Sequence, residues 1–437
     1  MLIKQVEQFV DSLQPELVAC RRDFHKHAES AWTEFRTASI IAKRLTELGY
    51  EVKLGREVVN DADRMGLPTE QALAEHLQRA AAQGAVPEFL PQLAGGFTGV
   101  VGILRAGEGP VIGMRFDIDA VDVAESQAAD HRPVQEGFAS VNPNVMHSCG
   151  HDGHATIGLG VAAALMQIKD QLQGTIKLVF QPAEEGVRGA KSVVGSGILD
   201  DVQYMIGSHL SSGVATGTVT CGREGFLATT KFDAIIHGGP AHAGGTPEGG
   251  HNALLAAATA VLNLYAIPRH SKGATRINVG RLNAGTGRNV IPDRAHLAVE
   301  TRGLTSALND HMYSYAMRIL EHATAMHGCT FEVKHMGAAR SGESSGELVD
   351  RLRQVAMRIS DFTSVVEGNR EGGGSEDYTY MMERVQQNGG QATFVSIGAD
   401  INQAGHHTFE FDFDETALKG AVKLFVLSAL DIMGKLQ

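Results

Sequence analysis

Tryptophan occurs once and cysteine four times in 437 residues, and aromatic residues make up only 6% of the chain. There is no Lys/Arg-rich run, and the net charge is −12. Scarce aromatics and an acidic balance argue against a nucleic-acid partner, although a local basic pocket for an anionic substrate remains compatible with them. The cysteines (Cys20, Cys149, Cys221, Cys329) are too scattered for a disulfide framework and suit a reducing compartment. No apolar run approaches the length of a membrane span. The opening MLIKQVEQFVDSLQPELV carries acidic residues inside its apolar pattern, so neither a signal peptide nor an anchor is expected. The expected location is the cytoplasm, with no membrane partner. What is present, 43% hydrophobic and 20% charged residues, belongs to an ordinary globular protein, and the length is too great for one typical core.

The pattern along the chain divides it. Helices are expected over 3–13 and 15–28, broken at Ser12 and Pro15, and over 33–48 before Gly49. Residues 56–96 are Ala- and Gln-rich and read as a surface insertion with a helix at 69–82. Strands at 100–104, 111–116, 176–180 and 204–208 then alternate with helices at 156–172 and 190–199. That rhythm predicts a mixed, mostly parallel sheet flanked by helices, with reactive groups at the carboxyl ends of its strands. From 226 the order changes to strand, helix, two strands, helix, strand, which is a ferredoxin-like α+β arrangement. The expected organisation is a catalytic domain over 1–225 and 341–437, with the small domain inserted at 226–340.

The densest chemistry lies in Met146–His154, M-H-S-C-G-H-D-G-H, with a thiol, three imidazoles and a carboxylate in nine residues. Such groups ligate borderline-soft divalent metals. Taken singly, Cys149 reads as a buried thiol and Asp152 as a helix cap. Glu184-Glu185, directly after the buried strand IKLVF, and His209 at another strand end reduce the weight of that bland reading. Adjacent glutamates also permit a division of labour, one binding metal while the other accepts a proton from water. The histidine pair His406-His407 lies in a later loop, and position alone does not choose between them. His242, in the GPAHAG loop of the inserted domain, would be structural if considered by itself.

The motifs RFDIDAVD (115–122), MHSCGHDGH (146–154), FQPAEEG (180–186), GSHL (207–210), GPAHAG (239–244), GRNVIP (287–292), GGSED (373–377) and GHHTFEFDFDE (405–415) together resemble the amidohydrolase branch of the aminoacylase/carboxypeptidase metallopeptidases. The resemblance spans most of the chain and implies a zinc-exopeptidase-like catalytic domain with an inserted lid and dimerisation domain. It implies two divalent metal ions held by Cys149, His151, Glu185, His209 and His407, with Glu184 as general base. It makes His242 an oxyanion donor reaching into a partner's site, and Asn289 and Arg302 the holders of a substrate carboxylate. Other branches have His-x-Asp where this chain has Arg115-Phe116-Asp117. That ligand position is therefore expected to be lost, with Cys149 replacing it and Asp117 orienting the site. His147 and His154 are expected to support the ligands, and Asp152 to cap or orient. A thiolate favours zinc, whereas the resemblance points to manganese. The implied substrate is an amide with a glutamate moiety, p-aminobenzoyl-glutamate, with hippurate-type or N-acetyl amino acids as the alternative. The implied partner is a homologous B subunit or a second copy. A regulatory or scaffolding role, with catalysis in a partner, is the reading from a different class.

Overall fold

The computed structural model describes every residue except Met1, Ser212, 369–373, Gln403 and Gln437, so Gly373 of GGSED lies outside the described residues. The chain divides into two compact units. One comprises Met1–Glu224, Gly342–Glu371 and Tyr380–Gln437; the other comprises Gly225–Ser341 and Gly372–Thr379.

The larger unit opens with α1 (Leu2–Lys26) and α2 (Phe35–Leu48). The helix break expected at Pro15 is absent. Pro15 lies inside one continuous helix whose buried face comprises Val6, Val10, Leu13, Leu17, Arg21 and Phe24. An interior proline costs about 3 kcal/mol, and burying five large apolar side chains along that face offsets it, at roughly 1.5–3 kcal/mol each. After β1 (Glu51–Leu54) the 55–97 segment carries α3 (Glu70–Ala82) and α4 (Leu90–Leu93). The segment is tied down by Trp32, whose buried Nε1 donates to Met65 O at 2.8 Å. The guanidinium groups of Arg56 and Arg64 each stand 3.8 Å from the Phe97 ring centroid.

Next come β2 (Val100–Arg105), β3 (Val111–Asp117), α5 (Arg132–Gln135) and α6 (His151–Gln167). They are followed by β4 (Thr175–Gln181), α7 (Ala190–Gly195), β5 (Tyr204–Ser211) and β6 (Thr218–Cys221). Helix α6 starts five residues before the expected Thr156. Its cap, Gly150, adopts φ +89, which a side chain would resist, and this turns the Cys149 loop directly into the helix. A Cβ on Gly158 would lie 2.6 Å from the Phe180 ring and 2.7 Å from Phe116, so α6 sits close against the sheet.

The smaller unit holds β7 (Ala228–His237), α8 (Ala253–Tyr265), β8 (Thr275–Ala284), β9 (Arg294–Gly303), α9 (Ser306–Met326) and β10 (Thr330–Ala339). Its antiparallel sheet has the order β10-β7-β9-β8, which is the ferredoxin-like arrangement. Phe232, Ala234, Ile236, Leu297 and Val299 pack with Ala256, Ala260, Met312 and Leu320 of the two helices.

The chain then supplies α10 (Gly346–Ala356), β11 (Ser364–Glu367), α11 (Thr379–Gln387), β12 (Gln391–Gly398) and α12 (Ala417–Ile432). The large sheet runs β1-β2-β4-β3-β5-β12-β6-β11. Its centre, β4-β3-β5-β12, is parallel, whereas β1, β2 and β6 join antiparallel. This is the mixed, mostly parallel sheet the pattern implies. The four-residue strands β6 and β11 are too short to give a periodic signal in the sequence. Among the described residues no helix is long and apolar enough to cross a membrane.

Candidate metal centre

Because β3, β4, β5 and β12 are parallel, their carboxyl ends open on the same edge of the sheet. Asp117 ends β3, Glu184 and Glu185 follow β4, His209 lies near the end of β5, and His407 comes from the loop after β12. Cys149 and His151 arrive from the start of α6. The His407 loop is pinned to the thiol loop by His407 N–H donating to Ser148 O at 2.8 Å.

Cys149 Sγ is central. His407 Nε2 lies 3.3 Å from it and His209 Nε2 3.4 Å. Glu185 Oε1 is 3.3 Å from His407 Nε2 and 3.9 Å from His151 Nε2, and Glu184 Oε2 is 4.0 Å from His151 Nε2. Two of the donor triads among the described residues contain this sulfur, Cys149–His151–His209 and Cys149–Glu185–His407. They share the sulfur, an arrangement that could hold two ions.

The donors are prepared for a cation. His209 Nδ1 donates to Leu210 O at 2.5 Å, leaving its Nε2 lone pair toward the sulfur. Burial and the His154 and His406 imidazoles hold the pKa of His209 well below the ordinary value, so the ring is neutral. His151 Nε2 is buried and makes no hydrogen bond. Burial works against charge on His151, yet Asp117, Asp119 and Glu185 raise its pKa to about 10, a measure of how strongly this point attracts positive charge. Burial, Glu185 and Glu184 push the Cys149 thiol well up, so a thiolate here requires a cation at sulfur. Soft sulfur, neutral imidazole and carboxylate fit divalent zinc or manganese.

The supporting residues are buried carboxylates, and one of them does not stand out in the sequence. Asp119, fully buried, accepts Glu184 N–H (3.0 Å) on Oδ1 and Glu185 N–H (2.9 Å) on Oδ2. Its main-chain O receives His151 Nδ1 at 2.9 Å. The signal that could have found it is the D-x-D spacing of Asp117 and Asp119, which puts alternate residues of an extended segment on one side. Asp117 itself touches His154 Nδ1 (2.5 Å) and Arg115 (2.6 Å) and lies 3.7 Å from His151 Nε2. His154 Nε2 accepts Leu210 N–H at 2.9 Å and so links α6 to β5. Asp152 points away from the donors, to Arg21 Nε and His25 Nδ1, each at 2.8 Å. His147 is buried against this network, its ring centroid 6.4 Å from that of His25. His406 stacks on Phe411 rather than joining either triad.

Six described non-glycine residues have left-handed backbone, and four of them, Ala183, Val187, Asp400 and His407, lie in the two loops carrying Glu184, Glu185 and His407. Strain concentrated in this way is typical of functional sites.

The remaining candidates belong to the smaller unit. His242 and Asn289 occupy adjoining loops, joined by Ala243 N–H to Asn289 O at 3.0 Å, and both are exposed. His242 Nδ1 accepts the Gly244 and Gly245 N–H groups (3.1 and 3.0 Å), so the ring proton sits on Nε2 and is presented outward. Arg302 is at the far end of β9, 3.0 Å from Glu300. The eight steps from Arg294 to Arg302 span roughly 26 Å of strand, and Asn289 lies in the loop that precedes Arg294.

Residues 113–431 match the profile of Peptidase family M20/M25/M40. Over 430 residues the chain is 49% identical to a p-aminobenzoyl-glutamate hydrolase subunit of Escherichia coli (strain K12), covering 98% of each. It is also 49% identical over 427 residues, again 98% of each, to an indole-3-acetyl-aspartic acid hydrolase of Enterobacter agglomerans. Among solved structures, an aminobenzoyl-glutamate utilization protein from Klebsiella pneumoniae superposes with a TM-score of 0.86 at 44% identity and 98% coverage of each chain. A Bacillus subtilis protein described as a dinuclear metal-binding peptidase matches with a TM-score of 0.66 at 25% identity, covering 98% of this chain and 100% of that one.

Proposed function

Since the chain belongs to Peptidase family M20/M25/M40 and is a metal-dependent amide hydrolase, we propose that it cleaves p-aminobenzoyl-glutamate to p-aminobenzoate and glutamate. The observation that carries this reading is the end-to-end similarity to a hydrolase of that amide, with an intact donor set around a buried thiol. Cys149, His151, Glu185, His209 and His407 would hold two ions. We favour manganese, with zinc as the alternative that the sulfur supports. The ions supply Lewis acidity toward a water molecule and the scissile carbonyl.

The chain's own residues do the rest. Glu184 accepts the proton of the attacking water and returns it to the leaving amine. His242 Nε2–H donates to the oxyanion of the tetrahedral intermediate. Asn289 and Arg302 bind carboxylates of the glutamate half, the fork of Arg302 giving two parallel hydrogen bonds. The distance along β9 separates these two duties, so His242 and Asn289 serve the site of a partner, either a homologous B subunit or a second copy. In this reading the smaller unit is the lid and pairing domain. Four free thiols fit a cytoplasmic setting.

The test compares turnover of p-aminobenzoyl-glutamate, indole-3-acetyl-aspartate and hippurate by the manganese-loaded protein, alone and with its B-type partner. The aminobenzoyl compound should give the highest kcat/KM; a preference for either of the others refutes the substrate assignment. Glu184→Gln in the assembled protein should abolish activity, and full retention would place catalysis in the partner.

A further inference from the structure

We propose that Glu34 is a positioning residue for this hydrolysis, holding Ala183 and through it the Glu184-Glu185 pair in the reactive arrangement. The inference rests on the proposed hydrolytic site and extends it to a residue at the start of α2, outside every motif of the metal centre.

Three consecutive N–H groups, those of Ala183, Glu184 and Glu185, point inward from the loop after β4. Asp119 receives the second and third. Glu34 Oε1 receives the first at 2.8 Å, while its Oε2 accepts Thr98 Oγ1–H at 2.6 Å. Ala183 is fully buried and holds φ +54, a conformation unfavourable for any residue with a Cβ. A bond to its N–H from a fixed acceptor is what keeps that conformation, and the direction of the next two side chains follows from it.

The position of Glu34 argues that this is its task. It occupies the N-cap of α2, yet its side chain makes no capping bond. Glu29 does the capping instead, accepting Arg36 N–H (3.0 Å) and Thr37 N–H (2.9 Å). A cap is served best by Ser, Thr, Asp or Asn, whereas a longer carboxyl reaches the loop. Placing it there is unfavourable in isolation, because Glu34 is fully buried beside a second carboxylate. Burial and Asp119 raise its pKa to about 8. A protonated carboxyl keeps an accepting oxygen, and glutamine reproduces that feature.

The experiment uses full-length protein loaded with manganese for kinetics and with Co²⁺ alone for its absorption spectrum. Glu34→Ala should lower kcat about 10–100-fold with KM within about twofold, and should alter the cobalt spectrum. Glu34→Gln should restore most of kcat. Glu34→Asp, which keeps the acid and loses its reach, should behave like Glu34→Ala and covers the case in which that variant does not fold. The proposal is overturned if the folded Ala or Asp variant keeps wild-type kcat and cobalt spectrum and loses only thermal stability. It is equally overturned if Gln is as impaired as Ala. The cobalt spectrum needs no substrate, so inactivity of the wild type on p-aminobenzoyl-glutamate would refute the substrate reading and leave this test standing.

Discussion

The main-chain carbonyl of Asp119 receives the Nδ1 proton of His151 at 2.9 Å, which turns Nε2 of that ring toward the donors around Cys149. The same residue's carboxylate holds the Glu184 and Glu185 backbones. One aspartate therefore orients the His151 ring and fixes the backbone that carries the Glu184 and Glu185 side chains. Asp119→Ala is expected to cost about 10–100-fold in kcat or metal affinity. Steady-state kinetics and metal analysis of the purified variant will show it; wild-type values for both would exclude the role.

Cys149 belongs to both donor triads. Its loss should therefore affect both ions, whereas loss of His209 or Glu185 removes a donor from one. Cys149→Ala is expected to purify with fewer than one metal per chain, and Glu185→Gln to retain more. Elemental analysis after dialysis separates the two, and equal retention would contradict a shared sulfur.

The outward Nε2–H of His242 leads to a mixing experiment. His242→Ala should reduce kcat about 10²–10³-fold, and Glu184→Gln should be inactive. If two copies of this chain pair, co-folding these variants restores about a quarter of wild-type activity, because half the dimers are mixed and each carries one complete site. No recovery would mean that His242 serves its own chain or pairs only with a different subunit.

Behind the metal centre, Arg21 is fully buried and bridges Asp152 (2.8 Å), Asp412 (2.9 Å) and Glu415 (3.3 Å). Arg21→Met strands these carboxylates and should cost about 3–5 kcal/mol in urea unfolding. The acid response follows from this cluster and from a second one, Asp361 with Lys419 and Lys423. Burial opposes ionisation of Asp412 and Asp361, but Arg21 and Arg132, and Lys423 and Lys419, hold them below the usual carboxylate range. A lowered pKa adds stability that is complete above about pH 4, the unfolded value, and is lost as pH falls through the folded values. The contribution of these pairs to the unfolding midpoint should therefore hold steady from neutrality down to about pH 5 and drop below about pH 4. Arg21→Met should show a shallower acid drop.

Much of this arrangement can be read from the chain, and the unread part has a physical cause. Alternating strands and helices imply a parallel sheet, and a parallel sheet gathers Asp117, Glu184, Glu185 and His209 on one edge. The continuous helix through Pro15 could not be read, because packing of Leu13, Leu17 and Phe24 overrides a local breaker. Asp119 is hidden by its neighbour Asp117, since both occupy one motif and only contacts distinguish them. Glu34 is hidden by distance: its partners, Thr98 and Ala183, are 64 and 149 positions away.

His407 faces Cys149 at 3.3 Å, although 258 positions separate them in the chain. Arg21 and Arg22 likewise find their carboxylate partner in the distant Glu415. During synthesis, then, Arg21 meets Asp152 well before Asp412 and Glu415, and the thiol waits for some 258 residues before His407 follows it. The donor group that includes His407 is therefore completed late in synthesis. A chain terminated before residue 407 lacks the His407 donor and two of the three carboxylates around Arg21, those of Asp412 and Glu415.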